Sequence, residues 1–466
     1  MRSYKKESAR LKKSQNLVTR LKTNKKQEIT RLLYEISKRE NIEPESILSP
    51  SPQPSPLQGE GAKNKSPLPA GERVRVRGDF AEIKKTLLKR RFPRAYPSNV
   101  HLPKIKLDSN SAQDTRKLKF YPKRIFVEKS ANSSTLAQRF KKSFPKARSI
   151  EIKSLKDHLK ENRGLTISDY NKRKDAIFIT YENYDFFKKC PCTKKAIGCG
   201  YHIFNLSFGC LFDCTYCYLQ EYTNSPGLIF PANIDKFFKN FFLYKRPGMR
   251  IGTGEFSDSL MLDHITEYSL PIIEFFKKHK DVRFEFKTKS INIDHLLKAK
   301  HAGNIVVAWS LNPQRIIDEN EFFTPSLTER LNAAKKCVAA GYKASCHFDP
   351  VVYFKGWEKE YKKVIDMLFD TIKPKDIAWI SIGTLRFNPK VKQTIEARFP
   401  GNKILNEELV LDFDNKLRYP DSIRQEIYDS MLKMLYKHSK KLPIYLCMEN
   451  SSIWRELKLR PTGLFR

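Results

Sequence analysis

No run of eighteen apolar residues occurs in this 466-residue chain, and Met1-Arg2-Ser3-Tyr4-Lys5-Lys6 leads into no apolar core. The first absence argues against a membrane-spanning helix and the second against a secretory leader, so a cytoplasmic protein without membrane contact is expected. Acidic residues are scarce: 51 Asp and Glu stand against 88 Lys and Arg, a formal net charge of +37. Such an imbalance predicts attraction to polyanions. It is also uneven, since residues 1–150 hold 37 basic and 13 acidic residues. An even set of cysteines spread along the chain is missing too. There are nine, six of them between 190 and 217, which suits a reducing compartment and a metal or cluster site better than a disulfide framework. Core-forming residues are not lacking. Hydrophobic residues make up 40%, with 31 Phe and 20 Tyr, enough for two or more domains or for one large α/β unit with an appendage.

In chain order, residues 1–48 are basic with Leu11, Leu17, Val18, Leu21, Leu32 and Leu33 at rough helical spacing, which reads equally as amphipathic helix or as a solvated, partly disordered tail. Residues 49–79 are a Pro/Gly/Ser-rich low-complexity insertion that cannot bury a core. Residues 80–118 form a basic linker with a helical pattern at Phe80, Ile83, Leu87 and Leu88. Residues 119–198 read as a small α/β subdomain, with strands near Ile125, Ile150 and Ile177. From 199 to 466 helix-like and strand-like segments alternate: Tyr201 to Phe208, Met249 to Gly254, Val282 to Thr288, Asn304 to Leu311, Tyr342 to Phe348, Ala378 to Leu385 and Ile444 to Cys447 read as strands. About seven strands separated by helices predict a parallel sheet curled into a partial barrel, with its chemistry in the loops at the carboxyl ends of the strands.

Directly after the first of these strands come Cys210, Cys214 and Cys217, spaced C-x3-C-x2-C. Three thiolates from one short loop make a soft pocket suited to an iron–sulfur cluster that keeps one iron open. A zinc site lacking its fourth ligand, or a disulfide with a spare thiol, are the plain alternatives. Other strand ends carry polar residues. Gly252-Thr253-Gly254-Glu255-Phe256-Ser257-Asp258 combines small residues with two carboxylates, and Lys289 could pair with a carboxylate or be a surface charge. Ser310, Asn312, His347, Asp349 and Arg386 end later strands and individually read as structural. Upstream, Cys190, Cys192 and Cys199 form a second soft group, readable as a zinc knuckle, an auxiliary cluster site or reduced structural thiols. Cys337 reads as core, whereas Cys346 and Cys447, on strands, are either buried or turned into the barrel.

The triplet is similar to that of the radical S-adenosylmethionine enzymes, and the run Cys210 to Gln220 resembles the spore photoproduct lyase branch. Gly254 to Asp258, Thr288-Lys289, Trp309-Ser310-Leu311-Asn312, His347-Phe348-Asp349-Pro350 and Leu446-Cys447-Met448-Glu449 extend the resemblance over about residues 119–466. It implies a partial (β/α)6-type TIM barrel, a 4Fe-4S cluster on Cys210, Cys214 and Cys217, and S-adenosylmethionine on the open iron. By position it implies Glu255, Ser257, Asp258, Lys289 and Ser310 as contacts to S-adenosylmethionine, and Tyr218 as a catalytic residue in radical relay. It also implies a flavodoxin- or ferredoxin-type electron donor. Glu255 stands where the lyases carry a hydrogen-donating cysteine, so Cys346, Cys447 or an upstream cysteine takes that part or the substrate differs. The expected function is radical chemistry on a nucleic acid, in repair or modification, motivated by the basic amino-terminal region. A protein or small-molecule substrate, and a non-enzymatic zinc-stapled nucleic-acid-binding protein, are the rival readings.

Overall fold

The computed structural model describes residues 2–19, 21–48, 80–96, 99–115, 120–161, 165–184, 187–222 and 225–459. The insertion expected at 49–79 lies outside the described residues. Two parallel-rich sheets, two small antiparallel ones and a helical unit stand out among the described residues. The main sheet runs, edge to edge, Phe187–Lys189, His202–Phe204, Arg250–Gly252, Arg283–Thr288, Ile305–Ser310, Lys343–Val351, Ile377–Thr384 and Ile444–Leu446. Every neighbouring pair is parallel except the first, which is antiparallel. Strands and spatial neighbours therefore follow chain order, as a curled half-barrel with crossover helices requires. The central strand Ile305–Ser310 is buried along its whole length because helices cover one face and barrel side chains the other.

The crossover helices begin and end on local signals. Leu327–Ala339 starts with a capping box in which the Ser326 hydroxyl accepts from the Glu329 N–H and the Glu329 carboxylate accepts from the Ser326 N–H at 2.7 Å. The segment expected as one helix from His264 to Lys280 is two, Asp263–Thr266 and Ser269–Lys277, because Glu267 turns left-handed at φ +53° between them. The expected helix from Ile293 to Ala302 shortens to Asp294–Lys298.

The smaller sheet orders Arg148–Ile152, Arg124–Glu128, Ala176–Thr180 and Leu228–Pro231, all parallel. Its fourth strand comes from beyond the cysteine loop, which stitches the small unit to the barrel. Four apolar residues in a row show no period, so that strand was not legible as one. The strand expected over Tyr201 to Phe208 is regular only at His202–Phe204, and Phe208 instead bridges to Ile229.

The basic amino-terminal region is helical and has its own core. Helices Arg2–Asn16, Thr23–Glu40 and Phe80–Arg91 pack around Ile29, Leu32, Leu33, Ile36, Leu87 and Phe92. Ile29, Leu32, Leu33 and Ile36 repeat at three and four residues, one face of a helix. That unit is fastened to the barrel by a buried charge network. Arg31 meets Glu396, Lys392 meets Glu35 at 2.7 Å, and Arg91 meets Glu35 at 2.8 Å. Both Lys392 and Glu396 belong to helix Pro389–Arg398. Burial alone would raise the Glu35 pKa, but Lys392, Arg91 and Arg31 outweigh it and hold the carboxyl below its ordinary range. Among the described residues no helix is long and apolar enough to cross a membrane.

Candidate active site

The cysteine loop leaves the first parallel strand through Gly209, at φ +84°, whose N–H donates to the Phe256 carbonyl at 2.9 Å. A Cβ there would lie 3.0 Å from the Leu228 side chain, so both conformation and space favour glycine. The loop is then clamped from below. Arg398 donates to both oxygens of buried Asp213 at 2.8 Å, Arg173 stands 3.2 Å from the same carboxylate, and Arg173 also donates to the Phe212 carbonyl. Burial opposes ionisation of Asp213, but Arg173 and Arg398 outweigh it and keep the carboxyl well below its ordinary range. Asp213–Cys214 pairs antiparallel with Glu321–Phe322, and Thr215 is bonded to Asn320 through both backbone and side chain.

This clamp presents Cys214 buried and Cys210 and Cys217 half-buried. Burial pushes all three thiols up, Cys210 to about 12, so iron would bind with loss of protons. Lys289 and Asp258 lie in electrostatic reach, Lys289 of Cys214 and Asp258 of Cys210. Burial works against the Lys289 charge, yet Cys214 and Glu321 outweigh it and keep the ammonium protonated. The Asp258 carboxylate accepts from the Thr288 hydroxyl and the Lys289 N–H, each at 2.6 Å, and from the Leu260 N–H at 3.0 Å. It thereby ties the end of the second parallel strand to the end of the third.

The other expected residues gather at the same end. The Ser257 hydroxyl bonds that of Ser207 at 2.6 Å. Ser310 is buried and its carbonyl accepts from Arg330 at 2.9 Å. Glu255 faces Lys188 at 2.8 Å. Tyr218 is 38% exposed, donates to the Glu255 carbonyl, and meets Tyr222 edge to face. Gly254, at φ +103°, leaves open a position where a Cβ would sit 3.2 Å from Lys287. Three thiols on one loop, a half-buried ammonium beside them and a glycine-lined strand end fit a three-cysteine cluster with a small zwitterionic ligand on the open iron.

Residues that the sequence did not mark complete the site. Arg173 and Arg398 lie in basic stretches like many others. Glu321 accepts from Tyr216 and Asn312, pairs with Arg330 at 2.6 Å, and is held down to about 2 because Arg330 and Lys289 outweigh its burial. Inside the barrel, Glu285 accepts from Arg250 at 2.9 Å and Trp379 at 3.2 Å and bonds His347 at 2.6 Å, a buried polar plug below the mouth.

The remaining cysteines separate by strand alternation. His347 turns inward to Glu285, so its neighbour Cys346 faces the outer layer. Tyr445 turns inward to Arg250, so Cys447 points into the mouth, where Arg386 donates to its sulfur at 3.4 Å and pairs with Asp349 at 2.8 Å. Cys190 and Cys192 stand with sulfurs 3.8 Å apart, in electrostatic reach of Cys199 and Cys447. All nine cysteines are free thiols. Among the described residues no three His, Cys, Asp or Glu side chains converge tightly enough to share a single metal ion.

Residues 120–438 match the family model described as spore photoproduct lyase. The chain belongs to the spore photoproduct lyase family. The lyase of Geobacillus sp. (strain Y412MC61) is 30% identical over 297 residues, 61% of this chain and 84% of that protein. The lyase of Bacillus subtilis (strain 168) is 28% identical, covering 62% of this chain and 86% of that one. Among solved structures, spore photoproduct lyase complexed with dinucleoside spore photoproduct superposes with a TM-score of 0.60 at 26% identity, over 70% of this chain and 99% of that one. A mutant lyase with bound AdoMet and the same dinucleoside also gives 0.60, at 25% identity, over 72% of this chain and 100% of that one. Family membership makes the chain a radical S-adenosylmethionine enzyme with a lyase-type barrel. The family match begins where the small α/β sheet begins, and the amino-terminal helical unit lies outside the matched span.

Proposed function

We propose that the protein acts on a damaged or modified base in nucleic acid. Cys210, Cys214 and Cys217 would hold a 4Fe-4S cluster, with S-adenosylmethionine on the open iron near Asp258 and Lys289. When bound, that pair supplies a carbon-centred radical able to take a hydrogen atom from substrate. The observation that carries the reading is the convergence of the clamped cysteine loop with Asp258 and Lys289 at the carboxyl end of the sheet.

The residues have separable tasks. Asp213, gripped by Arg173 and Arg398, sets the loop's position. Lys289 offers a fixed positive charge to a ligand carboxylate, Asp258 holds the backbone on which Lys289 sits, and Glu255, Ser257 and Ser310 complete a polar rim. Tyr218, partly exposed over this rim, is placed to exchange hydrogen with whatever enters. Of the strand cysteines only Cys447 faces the mouth, so it, with the upstream thiols, is the hydrogen source available in place of the cysteine that Glu255 replaces. Exposed Lys5, Lys6 and Lys12 on the first helix provide phosphate contacts, and a lesion would leave its stack at reduced cost to enter the barrel. Nine free thiols suit the reducing cytoplasm, where a flavodoxin or ferredoxin would supply electrons.

Anaerobic reconstitution with iron and sulfide, then reduction with S-adenosylmethionine and an oligonucleotide carrying the spore thymine lesion, tests the reading. Formation of 5′-deoxyadenosine together with restored thymines is expected. A well-formed cluster that yields no 5′-deoxyadenosine would sink it, and 5′-deoxyadenosine without change in any damaged oligonucleotide would move the substrate to a protein or small molecule. Replacing Lys5, Lys6 and Lys12 by Ala should flatten the salt dependence of DNA binding by up to about 0.9 for each phosphate no longer neutralised.

A further inference from the structure

The segment Cys190-Pro191-Cys192 lies beside the mouth and holds none of the three cluster cysteines. Proline locks φ near −65°, close to the central residue of an inverse γ-turn. The turn is formed: the Cys192 N–H donates to the Cys190 carbonyl at 2.7 Å. An extended Cys-x-Cys would hold its α-carbons about 6.6 Å apart, near the upper limit of about 6.8 Å for a disulfide. The γ-turn draws them closer, and the sulfurs stand 3.8 Å apart in a shared hydrogen bond. The loop around them is pinned, with the Cys190 N–H on the Tyr201 carbonyl at 2.9 Å and the Ile197 N–H on the Glu449 carbonyl at 2.8 Å.

Its surroundings treat the two sulfurs differently. On Cys192 the hydrogen bond shared with Cys190 favours a thiolate and burial opposes it, while the cations of Arg386 and Lys416 and the Cys199 backbone N–H add to the first. Cys190 is faced by the thiols of Cys199 and Cys447 and lies in electrostatic reach of Tyr218. One nucleophilic sulfur next to one resolving sulfur is the arrangement of a thiol–disulfide exchange site.

We propose that Cys190 and Cys192 are a reversible redox pair that exchanges with low-molecular-mass disulfides of the glutathione class. The Cys192 thiolate attacks one sulfur of the disulfide RS–SR, forming a mixed disulfide and releasing RS⁻. Cys190, as thiolate after giving up its proton, then attacks the Cys192 sulfur and releases the second RS⁻. The Cys190–Cys192 bond forms, the RS–SR bond breaks, two electrons pass to the reagent, and the protons go to the released thiolates. The site does not depend on which substrate the barrel takes. Oxidation removes a thiol from beside Tyr218, so the pair reports cellular thiol poise at the mouth.

The test uses the anaerobically reconstituted full chain in buffers of defined oxidised-to-reduced glutathione ratio, quenched with iodoacetamide and digested. The expected result is a peptide containing Cys190 and Cys192 that loses two hydrogens and escapes alkylation, with full reversal by reduced glutathione. C447S should leave this behaviour intact. P191A should shift the equilibrium several-fold toward the dithiol, since the turn no longer holds the sulfurs together. Separate glutathione adducts on both cysteines, a cross-link to Cys447 or Cys199, or thiols protected at every ratio by stoichiometric zinc would each overturn the proposal, as would a P191A midpoint equal to that of the native chain.

Discussion

Two buried ion networks meet on one helix and do different work. On one side of Pro389–Arg398, Lys392 and Glu396 join Arg31, Glu35 and Arg91 and fasten the basic helical unit to the barrel. On another side, Arg398 joins Arg173 around Asp213 and holds the cysteine loop. The first has two carboxylates for three cations, and Arg31 reaches both of them. The second has one carboxylate for two cations, and removing it leaves both guanidinium groups buried without a counter-charge. A buried network is worth most where it has no redundancy, because the cost of breaking it is the desolvation of what remains.

The largest effect should therefore follow Asp213→Asn. A loss of about 3–5 kcal/mol is expected, read by urea unfolding, with iron incorporation falling in parallel. Glu35→Gln should cost less, about 2–3 kcal/mol, and should free the amino-terminal helices to protease while iron incorporation stays normal. If E35Q lowers iron content as far as D213N does, the two networks are one device coupled through Pro389–Arg398, and the contrast between them fails.

Titration separates the networks from the polar plug. Asp213 and Glu35 are held below their ordinary range, so each adds stability above the unfolded pKa of about 4 and loses it as pH falls through the lower folded value. His347 behaves differently. Burial first, then Lys287, lowers it to about 4, so its contribution is complete above about 6.5 and is lost as pH falls toward 4. The urea midpoint of the native chain should drop between pH 7 and pH 4.5. His347→Gln should flatten that window while leaving the acid loss below pH 4. The smallest change is Tyr218→Phe, which removes one hydrogen bond at a partly exposed site and should cost about 1 kcal/mol or less. Its thermal midpoint should barely move while lesion turnover falls and 5′-deoxyadenosine release persists, a split that a purely structural tyrosine would not produce.

Much of the barrel was readable because its strands alternate with helices in chain order, and adjacent segments become adjacent strands. Readability failed where elements were short or left that order. Leu228–Pro231 crosses back to the small sheet, Phe187–Lys189 is three residues long, and Pro389–Arg398 lay between expected elements without being marked. At the site, Cys210, Cys214 and Cys217 stood out because their spacing is local. Arg173, Arg398 and Glu321 did not, since their roles depend on partners that are 40, 185 and 107 residues away at Asp213 and Cys214. The basic amino-terminal region was open between helix and tail, since composition cannot show that its leucines have a core to fill.

By itself the sequence determined the parallel half-barrel, the cysteine loop and the family, because each rests on spacings within a few residues or on a repeating order. Only tertiary structure decided that the basic helices share an anchoring helix with the cluster loop, that Cys447 faces the mouth while Cys346 does not, and that Cys190 and Cys192 stand together beside Tyr218. Those are contacts between side chains far apart in the chain, created when burial leaves each charge or thiol no partner except the one that folding brings.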